Sequence, residues 1–332
     1  MRFLGQGLAC IGRRGPALLV LSLALGAAFA PLAAAAYQAL PISAFLLTLG
    51  SFLSASLAPA EKAVGWRRIL LALVWVAVGV PLLAAAIVFQ LHLDPALEAG
   101  VVLSVLAPPV GSAAAIAVML GLQPRLALVA SLALTLAAPL SMPAFATALG
   151  VNMAVDMPHL AWRLAIIIGS AAALAQAARH WRSRIRAILP DQTAAAGVAV
   201  VGLMIVGLAT MSGIRTHWVT DRSAFTVFAL AAVGVNLAAG GVGSLLFAAW
   251  GAKNAFTIGL VSGNRNVTLA WAAAGTTLPA ATEAYVAACV LPVLALPLVV
   301  KGVIGARARL VRTLGRHKLP VNPAAVAVPP KA

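Results

Sequence analysis

Residues 259–275 read GLVSGNRNVTLAWAAAG. The stretch is long and apolar enough to cross a bilayer, yet Gly263, Asn264, Arg265 and Asn266 sit near its centre. An arginine at the middle of a membrane helix costs ~3 kcal/mol on insertion scales and ~10 or more in simulations. Snorkelling does not relieve that cost, because a guanidinium reach of ~7 Å falls short of the ~15 Å half-thickness of the hydrocarbon core. Arg265 therefore faces protein interior or water. Two roles fit: a fixed cation that attracts an anionic substrate, or a partner for carbonyls freed by a broken helix.

The rest of the chain agrees that the solvent is lipid. Of 332 residues, 63% are hydrophobic and 9% charged, with a mean hydropathy of +1.03. Soluble domains carry roughly 45–50% apolar and about 25% charged residues. The formal charge of +16 reads as cytoplasmic loops facing anionic lipid rather than as a nucleic-acid surface. Cys10 and Cys289 stand far apart with no ligand spacing around them, so neither a disulfide nor a metal site is expected.

A spanning helix needs about 20 apolar residues. Ten such segments are expected, over 16–36, 40–59, 69–90, 97–120, 125–149, 160–178, 194–212, 223–249, 255–275 and 281–304. With the N-terminus inside, nineteen of the 23 Lys and Arg residues fall on the cytoplasmic side; Arg163, Arg215 and Arg222 fall outside and Arg265 within the bilayer. Both termini are then cytoplasmic. The run after Arg13 and Arg14, PALLVLSLALGAAFA (16–30), also fits a secretory signal with a small-residue cleavage site; the charge distribution favours a retained first helix. The domain plan is a cytoplasmic segment 1–15, a five-helix repeat 16–150, a second repeat 160–304, and a basic, disordered tail 305–332. Five helices per half puts the halves in opposite orientations, an inverted repeat of the kind used by alternating-access carriers.

Two segments are interrupted at equivalent places. The fourth contains LAPPVGSAAA (106–115), where Pro108 and Pro109 remove two donors and Gly111 loosens the chain. The ninth contains SGNRN (262–266). Lipid-facing breaks leave carbonyls unsatisfied, so such breaks are buried or line a cavity, and matched breaks point to a midplane binding site. Substrate-binding candidates are Arg265, Asn264, Asn266, Ser262, Thr268, Ser112 and Gly111. Pro108, Pro109 and Gly263 make the breaks. For Ser262, Asn264, Asn266 and Thr268, satisfying freed carbonyls is the competing role.

These residues resemble a family. APPVGSAAAIAVMLGLQPRLALVASLALTLAAPLSMPAF (107–145) is similar to the fourth and fifth helices of the bile acid:sodium symporter family, within the bile/arsenite/riboflavin transporter superfamily. GNRNVTLA (263–270) resembles its ninth-helix motif, and VGVNLAAGGVGSLL (233–246) its small-residue eighth helix. The resemblance covers about 40 to 304. It implies an all-α, ten-helix polytopic fold with panel and core domains, in which helices four and nine cross at their breaks beside the substrate cavity.

The departures concern sodium. A family Ser-Asn pair aligns with Ala113 and Ala114, a family Glu with the stretch Gly259 to Ser262, and the motif's Gln with Arg265; the third span has no mid-helix Gln. Thr135 and Asn236 remain as a residual ion site. Methyl groups cannot replace sodium's water, and a guanidinium repels the ion. The expectation is a secondary transporter of an organic anion in a bacterial cytoplasmic membrane, with no cofactor, sodium disfavoured, no nucleic-acid partner, and a monomeric or weakly oligomeric state. The alternative is a non-transporting sensor or scaffold that keeps the fold. No hydrolase constellation lies in the spans, so an enzyme is not expected. The arsenite branch is disfavoured because its fourth-helix cysteine is absent. All five histidines fall in loops or at span ends, and the tryptophans Trp66, Trp75, Trp162, Trp218, Trp250 and Trp271 mostly read as interfacial anchors.

Overall fold

The computed structural model describes residues 2–56, 65–150, 155–185 and 188–316. Among them the regular structure is helical, apart from one isolated β-bridge at the site. The chain begins with α1 (Arg2–Arg13), α2 (Gly15–Ala28), α3 (Ala30–Gln38) and α4 (Leu40–Ser56). A continuous rod follows, made of α5 (Trp66–Val74), a π-helical turn (Trp75–Gly79) and α6 (Val80–Leu91). Next come α7 (Pro95–Leu106), α8 (Ala113–Met119), α9 (Pro124–Ala148), α10 (Met157–His180) and the short α11 (Arg182–Ile185). The second half holds α12 (Gln192–Thr220), α13 (Arg222–Leu246), α14 (Ala252–Gly263), α15 (Val267–Ala274) and α16 (Ala280–Arg316).

Six helices among the described residues are long and apolar enough to cross a membrane, and eight if two bent pairs each count as one span. The protein is therefore an α-helical, polytopic integral membrane protein by length and composition. The two interrupted segments fall outside that count because each piece is short: α7 and α14, at 12 residues each, reach only ~18 Å against a ~30 Å core.

Helix starts follow their caps. Asp94, Asp191 and Asp221 accept the Ala96, Ala194 and Ala224 N–H groups at 2.9, 2.8 and 2.9 Å, opening α7, α12 and α13. The expected first span is divided at Phe29, because Pro31 in the first turn of α3 cannot continue α2. Upstream, the expected cytoplasmic segment is helical: α1 turns 81° from α2. The expected disordered tail is helical up to Arg316, a stretch free of proline; 317–332, with His317, Lys318 and Lys331, lie outside the described residues, as do 57–64, with Glu61 and Lys62, and Arg186.

The helices pack in two groups. In one, α12 runs along α1, α2, α3 and α4, and α4 also packs on α10. The approach is close enough that a Cβ on Gly50 would meet the Ala199 backbone nitrogen at 2.4 Å. In the other group α13 lies against α14 and α16, α7 against α16, and α9 against α5, α8 and α14. Contacts of α9 and α15 with α10, of α15 with α4, and of α16 with α12 join the groups.

Candidate functional site

The break after α7 begins at Ala107, whose backbone is extended (φ −57°, ψ 143°) as the residue before a proline must be. The break after α14 runs through Asn264 and Asn266, both out of the helical region. The two breaks meet head-on. Val110 N–H donates to the Asn264 carbonyl at 3.0 Å, and Asn266 N–H donates to the Pro108 carbonyl at 2.7 Å. Pro109 and Arg265 face each other in the antiparallel bridge between those bonds. Each break thus supplies the partners that the other lost.

Arg265 closes the remaining account. Its guanidinium is buried, at 4% exposure. Nε donates to the Ser262 carbonyl at 2.7 Å, Nη1 to Ala107 at 3.2 Å and Nη2 to Val76 at 2.9 Å. Ser262 and Ala107 end α14 and α7, so the cation lies at the negative ends of two half-helices. Val76 has a different reason to need a donor. Within the π turn, Val80 N–H donates to the Trp75 carbonyl, and the residue that would serve Val76 in the same pattern is Pro81, which has no N–H. Of the two roles open to Arg265, carbonyl satisfaction is the one with visible partners.

The other named residues divide by what they touch. Ser262 Oγ accepts a hydrogen bond from Trp75 Nε1 at 3.1 Å. Asn266 caps α15, its Oδ1 accepting Leu269 N–H at 3.3 Å. A Cβ on Gly263 would stand 2.4 Å from the Asn236 carbonyl, so only glycine permits the crossing of α14 against α13. Gly111 faces the other group: its Cβ would meet Ser51 Oγ of α4 at 1.9 Å. Ser112 holds the N-cap position of α8 without making a capping bond. Thr268 and Thr135 are buried on α15 and α9 and line neither cavity described next. Asn264 stands apart: it is 3% exposed, and among the described residues neither Nδ2 nor Oδ1 has a hydrogen-bond partner.

Two small cavities flank Arg265. One, of about 20 Å³, is walled by Ser104, Asn236, Ser262, Tyr285 and Cys289 together with the guanidinium. The other, of about 10 Å³, is lined by Pro108, Leu134, Phe145, Ser141 and Arg265.

Sequence reasoning missed the π turn, Tyr285, and the placement of two tryptophans. Trp75 and Trp271, read as interfacial anchors, donate to polar partners inside the fold instead: Trp75 to Ser262, and the 1%-exposed Trp271 to Glu283 Oε1 at 3.1 Å. Tyr37 donates to the same carboxylate oxygen, linking α3 to α16. The signal for Trp75 was Gly79 one turn later, on which its ring rests.

No family model and no curated protein matches the chain.

Proposed function

We propose that the protein is a carrier of a small organic anion that works by alternating access without sodium. It would be built like the bile acid:sodium symporters, with ten spans in two inverted five-helix repeats and the broken fourth and ninth segments crossing at the midplane. The observation that carries this reading is the pair of mutually hydrogen-bonded breaks around a buried guanidinium. Such discontinuities are tolerated at membrane depth where they are buried in protein or line a cavity, and matched pairs mark the binding sites of carriers.

In this reading Arg265 stands in for a bound cation. Its three bonds go to backbone oxygens, the ligand type a sodium ion takes, and its tether keeps it there. The positive field at the crossing draws in an anion, while Asn264, whose amide the fold leaves unused, makes the specific contact. The two packing groups, with Gly111 pressed on Ser51 where they meet, would be the bodies that move against each other.

The test is uptake by purified protein in liposomes, with labelled bile acids, 2-oxo acids and small carboxylates, in sodium and in potassium buffers. Saturable uptake of one class, equal in both cations and lost in Asn264→Ala, is expected. Steep sodium dependence would overturn the coupling argument. Saturable binding with no flux would make the protein a sensor that keeps a carrier fold.

A further inference from the structure

The Arg265 guanidinium is a permanent charge, since arginine does not deprotonate in proteins. All three of its bonded partners are neutral carbonyls. Among the described residues none of its hydrogen bonds goes to a carboxylate. A buried cation without an anion is costly, and hydrogen bonds to carbonyls do not cancel its charge. Three of its five N–H groups are bonded, which leaves two donors over.

Arg265 also lines the larger flanking cavity. Its 20 Å³ exceeds the ~10–15 Å³ needed to seat one water-sized guest. Tyr285 lines it and is fully buried; among the described residues its hydroxyl makes no hydrogen bond of good geometry, with Ser104 and Cys289 as its polar neighbours. Cys289 adds a thiol, Asn236 an amide, and Ser262 a hydroxyl whose oxygen accepts from Trp75. The Ser104 proton goes to the Val101 carbonyl. No carboxylate lines the wall. The cavity is thus a one-guest space with largely apolar walls and a few polar groups, beside a cation that has no bonded anion.

We propose that this cavity binds one small monovalent anion of halide size, held by Arg265 and Tyr285, which neutralises the crossing while no organic anion is bound there. A water molecule would satisfy Tyr285 equally well but would leave the charge uncompensated, and that difference selects the anion. The site stands on this geometry alone and does not depend on the carrier reading: a protein without flux would still bind the ion.

The experiment is thermal unfolding of the purified full-length protein, followed by tryptophan fluorescence, in potassium chloride, bromide and gluconate at one ionic strength. Halide is expected to raise the midpoint saturably over gluconate. Tyr285→Phe, which removes one hydroxyl from an otherwise intact wall, should weaken the apparent halide affinity about tenfold, and Arg265→Gln should abolish the response. If Arg265→Gln fails to fold, Tyr285→Phe and anomalous diffraction from wild-type crystals in bromide decide the matter, with a bromide peak expected within hydrogen-bond reach of Tyr285 Oη. Equal midpoints in halide and gluconate, a halide response unchanged in Tyr285→Phe, or ordinary water density without an anomalous signal would each overturn the site.

Discussion

If Arg265 holds a cation's place as proposed, replacing it by glutamine should make sodium, without effect on the wild type, stabilise the variant. The guanidinium holds three carbonyls, at 2.7 Å (Ser262), 3.2 Å (Ala107) and 2.9 Å (Val76). Hydrogen bonds to a charged group contribute about 1.5–3 kcal/mol each. Glutamine is shorter, neutral and carries one amide with two protons, so it keeps one of the three bonds and loses two. The expected loss is roughly 3–6 kcal/mol, a large part of the ~5–15 kcal/mol that holds a typical domain together. The vacated position would be ringed by backbone oxygens at the negative ends of α7 and α14, which is a cation site. At a hundredfold excess over its dissociation constant, sodium would restore about 2.7 kcal/mol, or roughly 4 °C in the unfolding midpoint of a chain this long. The assay is tryptophan-monitored unfolding of Arg265→Gln and wild type in sodium gluconate against potassium gluconate, so that the anion is constant and without halide. A variant as flat to sodium as to potassium, or a wild type that sodium stabilises, would refute the claim that Arg265 occupies a cation's place.

Four further outcomes are expected. Asn264→Ala removes a buried amide with no partner, so its unfolding midpoint should equal or exceed that of wild type while liposome uptake falls at least tenfold; loss of stability in step with uptake would count against it. Gly263→Ala drives a Cβ to 2.4 Å from a backbone carbonyl of α13 and should destabilise by about 1–3 kcal/mol or more, seen as poor recovery of folded protein. Trp75→Phe keeps the ring over Gly79 but loses the bond to Ser262, an expected cost of about 1 kcal/mol in the unfolding midpoint. α1 is amphipathic and turned 81° from α2, so it is expected to lie along the membrane surface; in a Cys10→Ser background, a nitroxide at Leu4→Cys, on an exposed apolar position, should be relaxed by lipid-soluble oxygen. The same label at Gln6→Cys, on the polar edge shared with Arg13, should respond to a water-soluble reagent. Matching profiles would show that α1 does not lie along the membrane surface.

The crossing was legible because its causes are local and chemical. Two adjacent prolines and a run of Gly-Asn-Arg-Asn leave marks that no apolar run hides, and their meeting in space is what their equivalent positions imply. The partners of Arg265 were not legible. Val76 lies 189 residues away in a stretch, WVAVG, that reads as ordinary membrane helix. Its carbonyl needs a donor only because the turn is π-helical and Pro81 falls five residues on. The first span misled for the opposite reason: hydropathy continues smoothly through Phe29, and the single proline that ends α2 carries less weight in a composition count than in a hydrogen-bond ladder. Tyr37 and Glu283, 246 residues apart, belong to helices whose adjacency no periodicity encodes. The reach of the apolar pattern therefore ended where polar groups began to pair across helices.

A tethered cation has a consequence for the proposed carrier that a diffusible one lacks. An ion that arrives and leaves can supply free energy to a cycle, because its gradient biases which conformation is filled. Arg265 cannot leave. Its bonds to the ends of α7 and α14 keep the crossing assembled whether or not substrate is present, and its charge contributes equally before and after each turnover. The only ligand then free to bias the two conformations is the substrate itself, together with whatever small ion exchanges in the cavity beside Tyr285. Such a carrier equilibrates its anion across the membrane or exchanges it for another. It does not concentrate that anion at the expense of a sodium gradient. The glutamine-to-arginine difference at position 265, in this reading, separates driven uptake from exchange on an otherwise similar frame.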